Sequence, residues 1–484
     1  MRLFFISWSG KELGLIEVMR ELKKNHDIVY WTGYREEFES SRHLFPGTIC
    51  HDVDDALAGI PAEGVSFANF PPPGEELLAE FAETEITLLT MMHKKYEHLC
   101  IEERKHLFSE FLRYWHGVLS AYKPDAIVYS DIPHTVYDYV LYALARKLGI
   151  RTIMFEAILE GTDRAVLMND YKEGSKELLS EVRRNESEHF SPADLRKDTL
   201  DYYSRHAENK GDATPPYVKH DLALYGGMKQ VRIKLRSIAD GLYDGSIFKR
   251  LSGFIARRLG SNLKKEYARV ESSPDFKQNY VYVALHYQPE RTSSPQAGVF
   301  VDQLLMIEML SSALPEGWFL YVKEHPLLWR RRGTKFFEYR YRGYYRKIAA
   351  LGNVRVVPIG TNSFELIKHA KAVATGSGTA GWEGVLRGKP VLVFGYPWYQ
   401  YCPGVFRVRD FVSAREAFKR IRDGCSFSKQ QLINFLVSVD RVGFDAYFAP
   451  HGKVGSALSV DDNVKHIVSA LAKELHKSSL SQPQ

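Results

Sequence analysis

Positions 323 to 326 carry the densest chemistry in the chain. "VKEHP" sets Lys323, Glu324, His325 and Pro326 directly behind the apolar run Phe319, Leu320, Tyr321 and Val322. An imidazole at a strand end donates a hydrogen bond to a phosphate oxygen, and a neighbouring lysine adds positive charge. Proline then fixes the direction of the turn that follows. A surface turn with incidental charges has the same composition, so this stretch decides nothing alone. A second stretch, "TGSGTAGWEGVLRGKP" at 375–390, puts Gly376, Ser377, Gly378 and Thr379 between the strand-like "KAVAT" and a helix expected to begin near Ala380. Glycines let the backbone approach a ligand closely, and the N–H groups at a helix start hold a phosphate. Ser377 and Thr379 supply hydroxyl donors, and Glu383, one turn into the helix, can accept from the hydroxyls of a ribose or sugar. The spacing is neither GxxxxGK[ST] nor GxGxxG, so neither a P-loop ATPase nor a dinucleotide-dependent dehydrogenase is indicated. A plain strand-to-helix turn is the competing explanation. Because each stretch ends a strand of one expected sheet, together they predict one pocket edge for a nucleotide mono- or diphosphate.

His286, Gln288 and Glu290 in "LHYQPE" fall at the end of the first strand of that sheet and are expected to position rather than react. Nearer the N-terminus, "VYSDIPHTVYD" carries Asp131 and His134 at a strand end, and "FEAILEGTD" carries Glu156, Glu160 and Asp163 at the next. Asp131 also suits the N-cap of a following helix.

These residues need elements to aim them. "RLFFISW", "KELGLIEVMRELKKN" and "DIVYWTG" read as strand, amphipathic helix and strand, the opening of a doubly wound sheet. Long helices follow over 75–122, then the strand "DAIVYS", a helix through "YDYVLYALARKLG" and the strand "RTIMFEA". The pattern breaks down from about 165 to 275 and resumes at "NYVYVALHY", a run apolar enough to be buried on both faces. The expectation is α/β: a first doubly wound domain over 1–165, a helical insertion or linker over 166–275, a second doubly wound domain over 276–425, and C-terminal helices over 426–484 closing back on the first. A cleft is expected between the two domains.

At 484 residues the chain is too long for one ordinary core, and 45% apolar with 26% charged residues is the composition of a soluble globular protein. Cys50, Cys100, Cys402 and Cys425 form no CxxC pair, which argues for a reducing compartment and against structural zinc. No run reaches the length of about 18 apolar residues that a membrane span needs. The expected location is cytoplasmic, at the inner face of the membrane if the basic stretches touch lipid. The net charge of +6 is unevenly spread: residues 228–265 hold ten Lys/Arg against Asp240 and Asp244. A second basic group comprises Arg330, Arg331, Arg332, Lys335, Arg340, Arg342, Arg346 and Lys347. Such groups suit anionic partners or simply a solvated face. "FKRLSGFIARRLG" places an apolar face opposite Lys249, Arg250 and Arg257, which suits either a membrane interface or packing on the protein itself. No aromatic-plus-basic nucleic-acid module is present, so nucleic acid is not an expected partner.

"LHYQPERTSSPQAG", "YVKEHP" and "ATGSGTAGWEGVLRGKPVLVFGYPWY" resemble the bacterial capsular-polysaccharide synthesis family, which is similar to Kdo transferases and, more distantly, to sialyltransferases with a His-Pro motif. The resemblance covers mainly residues 280–402. It implies a GT-B glycosyltransferase with two Rossmann-like domains, the second binding a nucleotide-activated sugar, in many members a CMP-linked acidic sugar such as Kdo. By the same resemblance His325 contacts the donor phosphate, Ser377 and Thr379 lie on the phosphate, and Glu383 lies near the nucleoside. The family often has two adjacent hydroxyl residues, whereas Gly378 separates Ser377 from Thr379 here, so the nucleotide stays open. The first domain is then expected to hold the polysaccharide or glycolipid acceptor and the catalytic carboxylate, Asp131 with Glu156 as its rival, without a metal or other cofactor. A polyol-phosphate transferase, a nucleotide-sugar epimerase and a non-catalytic glycan-binding relative are the alternatives.

Overall fold

The computed structural model describes residues 1–96, 98–207, 262–288, 290–326, 328, 340–425, 427–454 and 456–477, with Val231 and Leu235. The amphipathic 248–259 stretch, most of the basic 228–265 stretch, and Arg330, Arg331, Arg332 and Lys335 lie outside the described residues. The chain divides into two compact units: residues 1–202, 294–296 and 433–484, and residues 203–293 and 297–432.

The first unit is built on a seven-stranded sheet. Its strands are β1 (Arg2–Ile6), β2 (Asp27–Gly33), β3 (Ile49–Asp52), β4 (Ala126–Tyr129), β5 (Arg151–Ala157) and β6 (Arg164–Met168), with a late strand at Phe444–Asp445. They lie in the order β3-β2-β1-β4-β5-β6, with Phe444–Asp445 outermost beside β6. The first five pair in parallel, and β5/β6 and the late strand are antiparallel. The apolar runs of β1 and β4 are buried almost throughout, as strands covered on both faces require. Residues 166–202, expected to belong to an insertion, count with this unit, and β6 is the reason: its pairing with β5 was hidden behind the charged segment after it. The long helix Val460–Lys477 sets Ile467, Leu471 and Leu475 into the same core as Leu3, Phe5 and Trp31. Asn463, fully buried on that helix, ties it down through its side chain to Leu13 O (2.9 Å), Tyr447 O (3.1 Å) and Tyr447 N (2.9 Å).

The second unit has a six-stranded, wholly parallel sheet. Its strands are β7 (Asn279–Ala284), β8 (Trp318–Lys323), β9 (Val354–Val356), β10 (Ala372–Thr375), β11 (Val391–Val393) and β12 (Val405–Arg407). Their order, β12-β11-β10-β7-β8-β9, is the 3-2-1-4-5-6 wiring of a Rossmann domain. Both units are thus doubly wound and Rossmann-like. In each, the strand order reverses beside the first strand, and ligands of such sheets bind outside the carboxyl ends of the strands at that reversal. The reversal falls between β7 and β10 in the second unit and between β1 and β4 in the first. Val281, Val283, Leu320, Val322, Ala372 and Ala374 form the floor of the second core beneath it.

Candidate functional site

The residues after β7 and β10 meet at the reversal point of the second unit. The helix Thr379–Leu386 begins one residue before Ala380, with Gly378 at its N-cap. Its glycines answer to contact: a Cβ on Gly384 would lie 3.0 Å from Val373 Cγ2, and one on Gly381 would lie 2.3 Å from Tyr399 Oη. The helix can therefore sit close against β10, and the Tyr399 hydroxyl can donate to Gly378 O at 2.5 Å. Gly376 and Gly378 flank the His286 ring, where Cβ atoms would approach it to 2.7 and 2.9 Å. His286 itself is buried, and its backbone N–H donates to Gln303 Oε1 at 2.6 Å. The Ser377 hydroxyl donates to Thr292 O (2.6 Å) and is buried, while Thr379 is exposed.

The tetrapeptide after β8 divides into different roles. Lys323 is buried and donates through Nζ to Thr361 O (2.5 Å) and Ser363 Oγ (2.9 Å). Burial pulls its pKa down to about 8, against the opposing pull of the nearby Glu383 carboxylate. Glu324 is the deepest of the four. Its carboxylate accepts from Arg340 Nε (3.0 Å), Arg340 Nη2 (3.1 Å), Tyr345 Oη (2.7 Å) and the His325 N–H (2.8 Å). Arg340 also donates to His286 O (3.0 Å) and to Gln288 Oε1, so one guanidinium ties the loops after β7 and β8 together. Burial opposes that charge, but Glu324 outweighs it and holds the Arg340 pKa above its ordinary value. The Gln288 amide also donates to Val301 O (2.7 Å). With both ends engaged, Gln288 positions the loop. His325 is half-buried, with its ring centroid 5.9 Å from that of Tyr287, and Pro326 is exposed. Glu383 is half-buried. Sequence reasoning missed the structural roles of Arg340, Gln303, Tyr345 and Tyr399. By sequence Arg340 belongs to the second basic group, and nothing local in "YRYRGYYRK" distinguishes it from Arg342, which is exposed.

In the first unit Asp131 lies in the irregular segment between β4 and the helix Tyr137–Lys147. It is no N-cap: that position belongs to Val136, and Asp131 Oδ1 accepts from the adjacent Ile132 N–H at 2.8 Å. His134 Nδ1 lies 2.7 Å from Ile132 O, so that contact, not one to Asp131, orients the ring. Glu156 lies within β5, buried, and Oε1 accepts from Gln296 Nε2 at 3.1 Å. Glu160, in the turn between β5 and β6, keeps solvent access, yet desolvation pushes its pKa up to about 7. Asp163 accepts from Ser456 Oγ at 2.8 Å. Asp138, the last residue of "VYSDIPHTVYD" though not singled out there, is buried beside the reversal point. Burial pushes its pKa up, and its carboxylate receives the Thr135 N–H (2.7 Å) and lies 3.4 Å from Ser7 Oγ. Ser7 and Val136 both adopt positive φ, 52° and 69°, the kind of backbone strain that gathers at ligand sites.

Residues 246–430 match the family model described as capsule polysaccharide biosynthesis protein, and the matched stretch contains every reversal-point residue of the second unit. Among solved structures, the beta Kdo 2,7 transferase of Thermosulfurimonas dismutans KpsC is 10% identical, with 74% of this chain and 88% of that one covered and a TM-score of 0.34. The beta Kdo 2,4 transferase of the same organism's KpsC is 14% identical, covering 65% and 87%, with a TM-score of 0.27. The UDP-GlcNAc 2-epimerase of Methanocaldococcus jannaschii is 16% identical, covering 91% and 98%, with a TM-score of 0.26. TM-scores this low decide neither fold nor function. No curated protein matches the chain.

Proposed function

We propose that the protein is a glycosyltransferase of surface-polysaccharide assembly that takes its sugar from a nucleotide-activated donor held by the second unit. One observation carries this reading: the stretch matching the capsule polysaccharide family, 246–430, converges on the reversal point of a 3-2-1-4-5-6 sheet, where open α/β sheets bind nucleotides. His325 is the proposed phosphate contact, Thr379 and the helix start its second support, and Glu383 the acceptor of sugar or ribose hydroxyls. Lys323 acts from behind: its ammonium is committed to Thr361 and Ser363, so it shapes the floor. The first unit is proposed to hold a polysaccharide or glycolipid acceptor. Asp131, half-buried and outside any helix cap, is the proposed proton acceptor for the attacking hydroxyl.

The test is a thermal-shift screen of the full chain against CMP, CDP, UDP and GDP, followed by transfer assays with the sugars of whichever nucleotide binds. A ligand at about 100 times its dissociation constant stabilises by roughly 2.7 kcal/mol, well within detection. A CMP response with transfer from a CMP-linked acidic sugar is the expected result. Epimerisation of a UDP-sugar without transfer would replace the reading with the epimerase alternative. His325→Ala is expected to abolish nucleotide binding or transfer with the fold intact.

A further inference from the structure

The donors that the "TGSGT" motif offers to a phosphate are largely consumed within the protein. The Ser377 N–H donates to His286 Nε2 at 3.2 Å, and the Gly378 N–H donates to Thr375 Oγ1 at 3.2 Å. The Ser377 hydroxyl is given to Thr292 O. This arrangement determines where the proton of His286 resides. A backbone N–H can only donate, so Nε2 is the acceptor and carries no hydrogen. Thr375 Oγ1, already accepting from Gly378, has its own hydrogen left to give to the same Nε2, 3.2 Å away. A neutral imidazole has one proton, and here it sits on Nδ1. Among the described residues Nδ1 has no hydrogen-bond partner, although the side chain is only 5% exposed. The ring points at the N-cap of the eight-residue helix Thr379–Leu386: a Cβ on Gly378 would lie 2.9 Å from Cε1 and 3.3 Å from Nδ1. The Thr379 hydroxyl, next along, is likewise without a hydrogen bond among the described residues.

We propose that His286, as the neutral tautomer protonated on Nδ1, donates that hydrogen to an anionic phosphate oxygen of a ligand seated at the start of the helix Thr379–Leu386. The Ser377 and Gly378 amides build the donor instead of binding the ligand themselves. Burial first, then the His325 and Arg340 charges, holds the ring's pKa down at about 3, and Glu324 alone favours a second proton. Among the described residues these are the charged groups that act on the ring, from the end of β8 and from the segment before the helix Tyr344–Ala349. A neutral donor keeps its hydrogen, and the hydrogen bond to an anionic oxygen is among the stronger kinds. The identity of the phosphate as part of a nucleotide rests on the function proposed above.

The experiment is histidine-selective 15N NMR on the full chain, with pyrophosphate, CMP and UDP as probes. Without ligand, the His286 ring is expected to stay neutral and Nδ1-protonated from about pH 5.5 to 8, across the range where free imidazole titrates. A ring that titrates there, or one protonated on Nε2, overturns the proposal. Adding pyrophosphate should shift the Nδ1–H signal. Two variants then separate the ring atoms: the amide nitrogen of His286→Asn stands near the place of Nδ1, and that of His286→Gln near Nε2. The Gln variant is expected to lose about tenfold or more in pyrophosphate affinity and the Asn variant about threefold or less, the scale of one charge-assisted hydrogen bond. Equal losses in two folded variants assign the effect to loop shape and overturn the proposal; if either variant fails to fold, the wild-type signal decides. Pyrophosphate binding that moves His286 while no nucleotide binds upholds the proposal and defeats the nucleotide reading. Nucleotide binding that leaves the His286 signal unmoved does the reverse.

Discussion

Replacing Arg340 with methionine should unfold the protein more readily than any change to its exposed basic residues. The guanidinium side chain is 2% exposed, and the Glu324 carboxylate it meets is 0% exposed. Methionine fills most of the volume but removes the donors to Glu324, His286 O and Gln288. The Tyr345 hydroxyl and the His325 N–H remain on Glu324, but no positive charge does. Breaking a buried pair from one side costs about 3–5 kcal/mol, because the surviving charge is left uncompensated. Urea unfolding followed by tryptophan fluorescence, fitted for each transition, measures this directly. Replacing both partners, Arg340→Met with Glu324→Gln, should recover most of the loss, since the stranded charge is then gone. Nucleotide affinity should fall in the single variant as well, because Arg340 joins the loops that carry His286 and His325. A loss below about 1 kcal/mol in the single variant, the scale of a surface pair, would refute the reasoning. So would a double variant as unstable as the single one.

Three further outcomes are expected. Because the folded-state pKa of Lys323 is lowered to about 8, the unfolded chain takes up that proton first as pH falls; this residue's contribution should rise between about pH 8 and 10.5, by about 3 kcal/mol in full, and Lys323→Met should flatten the wild-type slope measured by urea titration across that window. Asp131→Asn is expected to keep nucleotide affinity and stability while lowering transfer by about a hundredfold or more, the scale of a lost acid–base group; normal transfer would leave Glu160, with its pKa of about 7, as the better candidate. Transfer should persist in chelator, since helix N–H groups and imidazoles can stabilise a leaving phosphate themselves, and activity lost in EDTA and restored by magnesium or manganese would contradict that.

Much of the architecture was legible in the chain because strand burial is written locally. β2 and β5 occupy the quoted runs "DIVYWTG" and "RTIMFEA" in full, β7 and β10 fall inside theirs, and β8 extends the run Phe319–Val322 by one residue at each end. Apolar runs bounded by glycine, proline or charge survive any tertiary context when both faces of a parallel sheet are covered. Of the strands passed over, β6 is interior and mostly buried, masked by the charged segment after it; the others were of another kind. β3, β12 and the Phe444–Asp445 strand are short edge segments of two to four residues, only partly buried, whose strand character comes from the neighbour they pair with. The site residues divide along the same line. That His286, His325 and the 376–379 loop stand at strand ends followed from the pattern, since position along a strand is a local property. Which atoms face a ligand did not follow. Ser377 reads as a phosphate donor, yet its hydroxyl goes to Thr292, 85 residues earlier. Arg340 reads as a surface charge, yet lies beneath two loops from separate strands. Asp131 and Asp138 are both aspartates near one helix start, and only packing makes one half-buried and the other enclosed. Sequence determines the type and spacing of polar groups; which of them are already satisfied depends on partners brought together across the sheet, and that the tertiary structure alone decides.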